Sequence, residues 1–439
     1  MSLKPYPEYK DSGVEWLGEV PSGWAVHSIK LAASTYGGAG FPHEYQGRED
    51  EEVPFHKVSA LTSADPDGVI RAHQDTVSLE VAKHLRAQVF PSGSIVMAKI
   101  GAALLLGRIR LVGHPFCIDN NMMAVIPKEN THPRYLYYAL QLVEFERIVN
   151  PGAVPSLDMT AFRDYSLPFP SFEVQREIAD YLDRETAEID AMAIELDQAM
   201  VLIDERFQAE VERCFDSLDA PHMPLRSQIQ SMTTGTSVTA AKFAPAAGEP
   251  GVLATSAVFG HELDEAAVKS VDPHEYARLT CPLRVNTLLV SRMNTMNLVG
   301  KAVTVDRHLP DVYLPDRLWA VEVEVPRYVY WWTRSQSYRE QIRGLAVGAS
   351  DSMKTLSQQA FRGITLPIPP VPQQDAVAAQ LDESAELTGA LKAELQEAKV
   401  VLEERRAALI SAAVTGQVDV TSHGVSAAEQ LRDELEVHV

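Results

Sequence analysis

Lys99, Arg108, Arg110, Asn120 and Asn121 form one group of side chains with convergent chemistry, and Arg292, Asn294, Asn297, Lys301 and Arg317 form another. Cations of this kind donate paired hydrogen bonds to guanine edges, and carboxamides match adenine edges, so both groups are candidates for reading bases in a major groove. The competing assignment for each is a solvated loop residue or a hydrogen-bonder internal to the fold. The groups are linked by position: Lys99 aligns with Arg292 and Gly107 with Gly300, both at an offset of 193. The loops "GAVPS" from Gly152 and "GASDSMK" from Gly348 are further candidates, because glycine lets backbone approach a phosphate closely; plain connections are the alternative. Tyr135, Tyr137 and Tyr138, with Tyr328, Tyr330, Trp331 and Trp332, could stack on bases, but their helical spacing reads better as core.

Other chemistry lacks its residues. There is no phosphate loop of the GxxxxGK[ST] type, and "GGAG" from Gly37 lacks dinucleotide-fold spacing. "HELDE" from His261 lacks the second histidine of a zincin helix, and "NPGA" from Asn150 reads as a turn. No Gly-x-Ser-x-Gly elbow occurs, and the 13 histidines do not cluster at ligand spacing. Asp119 and Asp316 are the carboxylates that a hidden nuclease would use, and metal-dependent nicking would be its signature. Cys117, Cys214 and Cys281 form neither a disulfide nor a zinc framework. The expectation is a non-catalytic binding and spacing device without cofactor or metal.

The elements that must carry these residues come twice. "LPFPSFEVQREIADYLD" from Leu167 returns as "LPIPPVPQQDAVAAQLD" from Leu366, 199 positions later. Phe162-Arg163 matches Phe361-Arg362 at the same offset, and Glu205-Arg206 matches Glu404-Arg405. Upstream the offset is 193, where "PRYLYYAL" from Pro133 matches "PRYVYWWT" from Pro326. Units this long are too large for a solenoid repeat. "GSIVMAKI", "FCIDNNMMAVIP", "NTLLVSRM", "KAVTVD" and "LWAVEVEV" read as strands. Helices are expected from Pro133 to about Val149 and from Pro326 to about Gly344.

A long helix follows each globular block. Residues 173–216 contain no Gly or Pro, and Leu182, Ile189, Leu196 and Ile203 recur every seven. In the second copy Leu391 and Leu395 open the pattern, and Leu395, Leu402 and Leu409 recur every seven. Narrow apolar seams with acidic flanks predict a coiled-coil pair. Amphipathic helices on two separate cores are the alternative. The predicted fold class is mixed α/β: two related globular domains, separated by two long helices in an antiparallel coiled coil, with pseudo-two-fold duplication. The expected boundaries are 1–170 for the first domain, 171–219 for the first helix, 220–370 for the second domain, 371–420 for the second helix and 421–439 for a tail. A two-fold object with spaced heads suits a duplex read at two half-sites.

Net charge is −21. The segments 171–219 and 371–439 carry 28 acidic and 9 basic groups between them, whereas 220–370 carries 15 basic and 13 acidic. The acidity therefore sits in the segments that hold the helices, and the globular blocks are free to present a basic face. The acidic faces are either solvated surface or a dock for a protein, and they run beside Phe207, Val211 and Phe215. With 46% hydrophobic residues but no window of 18 apolar ones, no membrane span is expected. The opening "MSLKPYPEYKDSGVEW" lacks a signal-peptide core, which predicts a cytoplasmic location.

"YKDSGVEWLGEVPSGW" from Tyr9, "LPIPPVPQQDAVAAQLDE" from Leu366 and "LEERRAALISAAVTGQVDV" from Leu402 resemble the specificity (S) subunits of type I restriction–modification enzymes. The likeness runs over nearly the whole chain. It implies two target-recognition domains, an antiparallel helical spacer and a bipartite, gapped double-stranded DNA target with one half per domain. It also implies two adenine-methyltransferase (M) subunits docked on the helices and a motor subunit that cleaves, in DNA methylation and phage defence. The sequence leaves open whether a restriction (R) subunit joins this chain. The alternative is a duplicated coiled-coil interaction scaffold that does not bind DNA, favoured by the acidic balance.

Overall fold

The structure is a computed structural model and describes residues 5–350 and 353–421. The chain divides into two compact units, residues 1–196 with 397–439, and residues 197–396.

In the first unit a five-stranded sheet runs in the order Ala33–Gly37, Met122–Pro127, Ile95–Ala98, Ile109–Val112, Val69–Ile70. Neighbours are antiparallel except the last pair. Side chains alternate across a strand, so each face can feed its own core. Ile95 and Met97 join a cluster with Tyr135 and Leu136 on one side, and Val96 and Ala98 join Phe90 and Phe116 on the other. A smaller sheet, Cys117–Ile118, Val53–His56, Thr76–Val77, continues the second side. "FCIDNNMMAVIP" thus spans two strands in two sheets, joined by the turn at Asp119–Asn121.

The second unit repeats the plan. Its main sheet is Ile229–Thr234, Leu318–Val323, Leu288–Ser291, Ala302–Thr304, and its small sheet is Val268–Ser270, Gly251–Leu253, Val312–Tyr313. Leu288 and Val290 face one core, and Leu289, Val303 and Ala320 face another. One backbone crossing makes the duplication concrete. A Cβ on Gly38 would lie 1.9 Å from the Asp119 carbonyl oxygen, and one on Gly235 would lie 1.6 Å from that of Leu314. Only glycine permits that approach in either copy.

The helix after each sheet is shorter than its sequence suggests. The first ends at Leu140. Beyond it the Leu142 and Val143 amides reach back only three residues, to Ala139 and Leu140, and the turn tightens. The second breaks into Pro326–Trp332 and Gln336–Leu345, because the Ser335 hydroxyl accepts the Tyr338 amide and starts a new helix. Tyr135, Tyr137, Tyr138, Tyr328, Tyr330, Trp331 and Trp332 are all buried and form core.

The long helices are Phe172–Asp216 and Val371–Val414, and each contributes one part to each unit. In the second unit the two segments run antiparallel: Asp204 pairs with Lys392 at 2.7 Å, Glu210 accepts the Ser384 hydroxyl, and Gln380 reaches Cys214. In the first unit Asp190 pairs with Arg406 at 3.0 Å, and Ile178 and Leu182 share a core with Ile410 and Val414. Leu182 and Ile189 are buried, and Leu196, Ile203, Leu395, Leu402 and Leu409 are half-buried. Leu391 departs from this: it is 45% exposed. The neighbouring Lys392 is half-buried instead, with its ammonium on the exposed Asp204.

The duplicated text fastens each helix to its sheet. Tyr135 donates to the Pro168 carbonyl and Tyr328 to that of Pro367, both at 2.7 Å. The Gln175 amide donates to Pro170 and the Gln374 amide to Pro369. Arg134 and Tyr138 hold Asp183, and Arg327 and Trp331 hold Asp382.

Candidate nucleic-acid interface

Lys99 and Arg292 each leave the end of a central strand, and the same backbone bonds hold both. The Lys99 amide donates to Asn121 at 2.8 Å, and its carbonyl accepts the Leu157 amide at 2.9 Å. The Arg292 amide donates to Arg317 at 3.0 Å, and its carbonyl accepts the Leu356 amide at 2.9 Å. The fold therefore brings Lys99 beside Asn121, and Arg292 beside Arg317.

The side chains differ in freedom. Lys99 is half-buried, makes no ion pair among the described residues, and has its ammonium where a Cβ on Gly37 would come within 2.9 Å. Asn120 is exposed; Asn121 is half-buried, with its amide nitrogens turned to the Asp119 carboxylate. Burial raises the Asp119 pKa, against the hydrogen bonds from Asn121 and Met122 and the charge of Lys57. In the second unit Arg317 is exposed and makes no side-chain bond among the described residues. Arg292 donates to the Asp316 carbonyl at 3.3 Å and lies 6.0 Å from the Trp319 ring.

The other candidates lie elsewhere. Arg108 is exposed just after Gly107. Arg110 is half-buried and donates to the Ile109 carbonyl, and burial lowers its pKa. Lys301 donates to the Phe259 carbonyl at 3.0 Å, and burial, then the charges of Arg334 and Arg339, lower its pKa. Asn294 accepts the Thr295 amide, and Asn297 is exposed with its carbonyl near Arg339. Of the two glycine loops, Gly152 is exposed, while Asp351 and Ser352 of the second lie outside the described residues, as do residues 422–439 of the tail.

Beside Arg317 the structure adds residues that the sequence did not single out. Lys269, Ser237, Thr255 and Asp316 line a cavity of about 300 Å³ with it. Lys269 escapes notice because no common offset aligns it; strand pairing alone places it next to Val252. Among the described residues, no three of His, Cys, Asp or Glu come together as metal ligands. A second surface lies on the long helices, where Met192 and Ile194 are exposed in the first unit and Val201, Leu202 and Leu387 in the second.

Residues 21–198 match the type I restriction modification DNA specificity domain. The chain has the mixed α/β fold of the type I restriction–modification specificity subunits and, over that stretch, their DNA specificity domain. It is 22% identical over 179 residues to the type I restriction enzyme MjaIX specificity subunit of Methanocaldococcus jannaschii, covering 40% of each chain. It is 32% identical over 91 residues to the StySPI specificity subunit of Salmonella potsdam, covering 21% of this chain and 19% of that one. These matches span less than half of either relative. A solved chain from work on complex assembly and conformational transition of the type I R-M system superposes with a TM-score of 0.69 at 15% identity, covering 91% of this chain and 99% of the other. No described helix is long and apolar enough to cross a membrane.

Proposed function

We propose that this chain is the DNA-specificity subunit of a type I restriction–modification complex acting in the cytoplasm. Residues 1–170 and 220–370 are its two target-recognition domains, and each reads one half of a bipartite, gapped site in double-stranded DNA. Residues 171–219 and 371–420 are the spacer helices. They dock two adenine-methyltransferase subunits through their exposed apolar side chains. The chain itself does no chemistry; it chooses the sequence and its partners modify it.

The observation that carries this reading is the duplicated strand end. Two units hold a cation, Lys99 or Arg292, by the same two backbone hydrogen bonds. A single binding surface would not require a second copy of that geometry, whereas two half-sites would. The acidic balance is compatible with it, since the negative charge is concentrated in the segments that contain the helices. The test is methylome sequencing of the host with and without the gene. The expected result is a two-part adenine motif with an unspecified gap, present in the parent and lost in the deletion strain. A deletion strain with an unchanged methylome contradicts the proposal.

A further inference from the structure

Asn121 and Arg317 occupy the same place in the two units. Their carbonyls accept the amides of Lys99 and Arg292, and the next residue in each copy starts the equivalent strand, Met122–Pro127 or Leu318–Val323. A second place repeats in the small sheets. His56 pairs with Ile118 as Val252 pairs with Tyr313. Opposite Val252 stands Lys269. In the first unit the pairs Val53–Val77 and Pro54–Thr76, continued by the Phe55 amide on the Asp75 carbonyl, bring Gln74 opposite His56.

Both places change chemistry in the same direction. The first unit has two carboxamides, Asn121 and Gln74; the second has two cations, Arg317 and Lys269. Arg317 and Lys269 line one cavity and have no carboxylate partner among the described residues. Gln74 is exposed. A carboxamide donates and accepts in one plane, which fits N6 and N7 of adenine; a guanidinium only donates, which fits O6 and N7 of guanine.

We infer that Asn121 and Arg317 set the identity of one base in each half-site, adenine for the first unit and guanine for the second, with Gln74 and Lys269 reinforcing the contrast. This rests on the proposed reading of DNA by both units. Asp316, beside Arg317 in the cavity wall, can accept from the N4 amine of the paired cytosine.

The experiment uses the full chain assembled with its methyltransferase subunits and a randomised duplex library. Binding selection is run on the parent, R317N, R317K and N121R. Arg317 is exposed, so its replacement leaves the fold intact. R317N is expected to lose guanine preference at one base of one half-site by about fivefold or more, and R317K to keep part of it. N121R exchanges adenine for guanine at one base of the other half-site. Uniform weakening over all sequences, the mark of a phosphate contact, overturns the inference, as does an unchanged profile. A parent complex that selects no two-part motif overturns the functional reading beneath it, which separates the two failures.

Discussion

His56 ends the Val53–His56 strand at 2% exposure, with its Nε2 3.0 Å from Nε2 of His114. One proton can bridge two imidazole nitrogens; two would set like charges in contact. Burial, then the charges of His114 and His73, hold His56 down at about 4, and Asp75, itself paired with Lys57, opposes this only in part. The folded value lies below the unfolded one of about 6.5, so protons favour the unfolded chain. This contribution to stability is complete above about pH 6.5 and is lost as pH falls toward 4, with a limit of about 3 kcal/mol. His56→Phe removes the titrating group. Urea unfolding of parent and variant between pH 7 and 4 should show the parent losing stability more steeply; equal slopes would refute this role. Nothing in the sequence foretold the pair, because the residues stand 58 positions apart and meet only through strand pairing.

The repeated text is legible because it does structural work twice. Its prolines accept from buried tyrosines, its glutamines bond the turn before each long helix, and its aspartates tie the helix to the sheet. Asp183→Asn leaves the half-buried Arg134 with a neutral partner, and Asp382→Asn does the same to Arg327. Each should cost about 1–2 kcal/mol in urea unfolding, since both pairs are partly open to solvent. The double variant should cost their sum, because the sites share no partner. A double variant as stable as the parent would refute the assignment. The seven-residue spacing of Leu182, Ile189 and Leu196 was readable for the same reason: the period of a seam is written in its apolar residues. Leu391 misled because its neighbour Lys392, not the leucine, is the half-buried residue there, and hydropathy ranks them the other way. The Pro133 helix ran short because its apolar pattern continues through Leu142 and Val143, which are packed in tight turns rather than in helix.

On the proposed function, the molecule is two copies of one reader on a single chain. The sequence disclosed the duplication, and through it the correspondence of Lys99 with Arg292, since aligned copies reveal positions that a single copy would hide. It did not separate cations that face outward from cations that serve the fold. Arg110 and Lys301 have the right chemistry for base edges, and each also donates to a main-chain carbonyl. Lys269 went unseen because it is aligned by strand register rather than by chain offset. Two such readers would have two independent sets of base preferences. The direct measurement is base-by-base binding selection on the methyltransferase complex carrying Lys99→Ala or Arg292→Ala. The account predicts that each variant relaxes bases in one half-site only, and that the two affected halves differ. Relaxation of the same bases by both variants would contradict it.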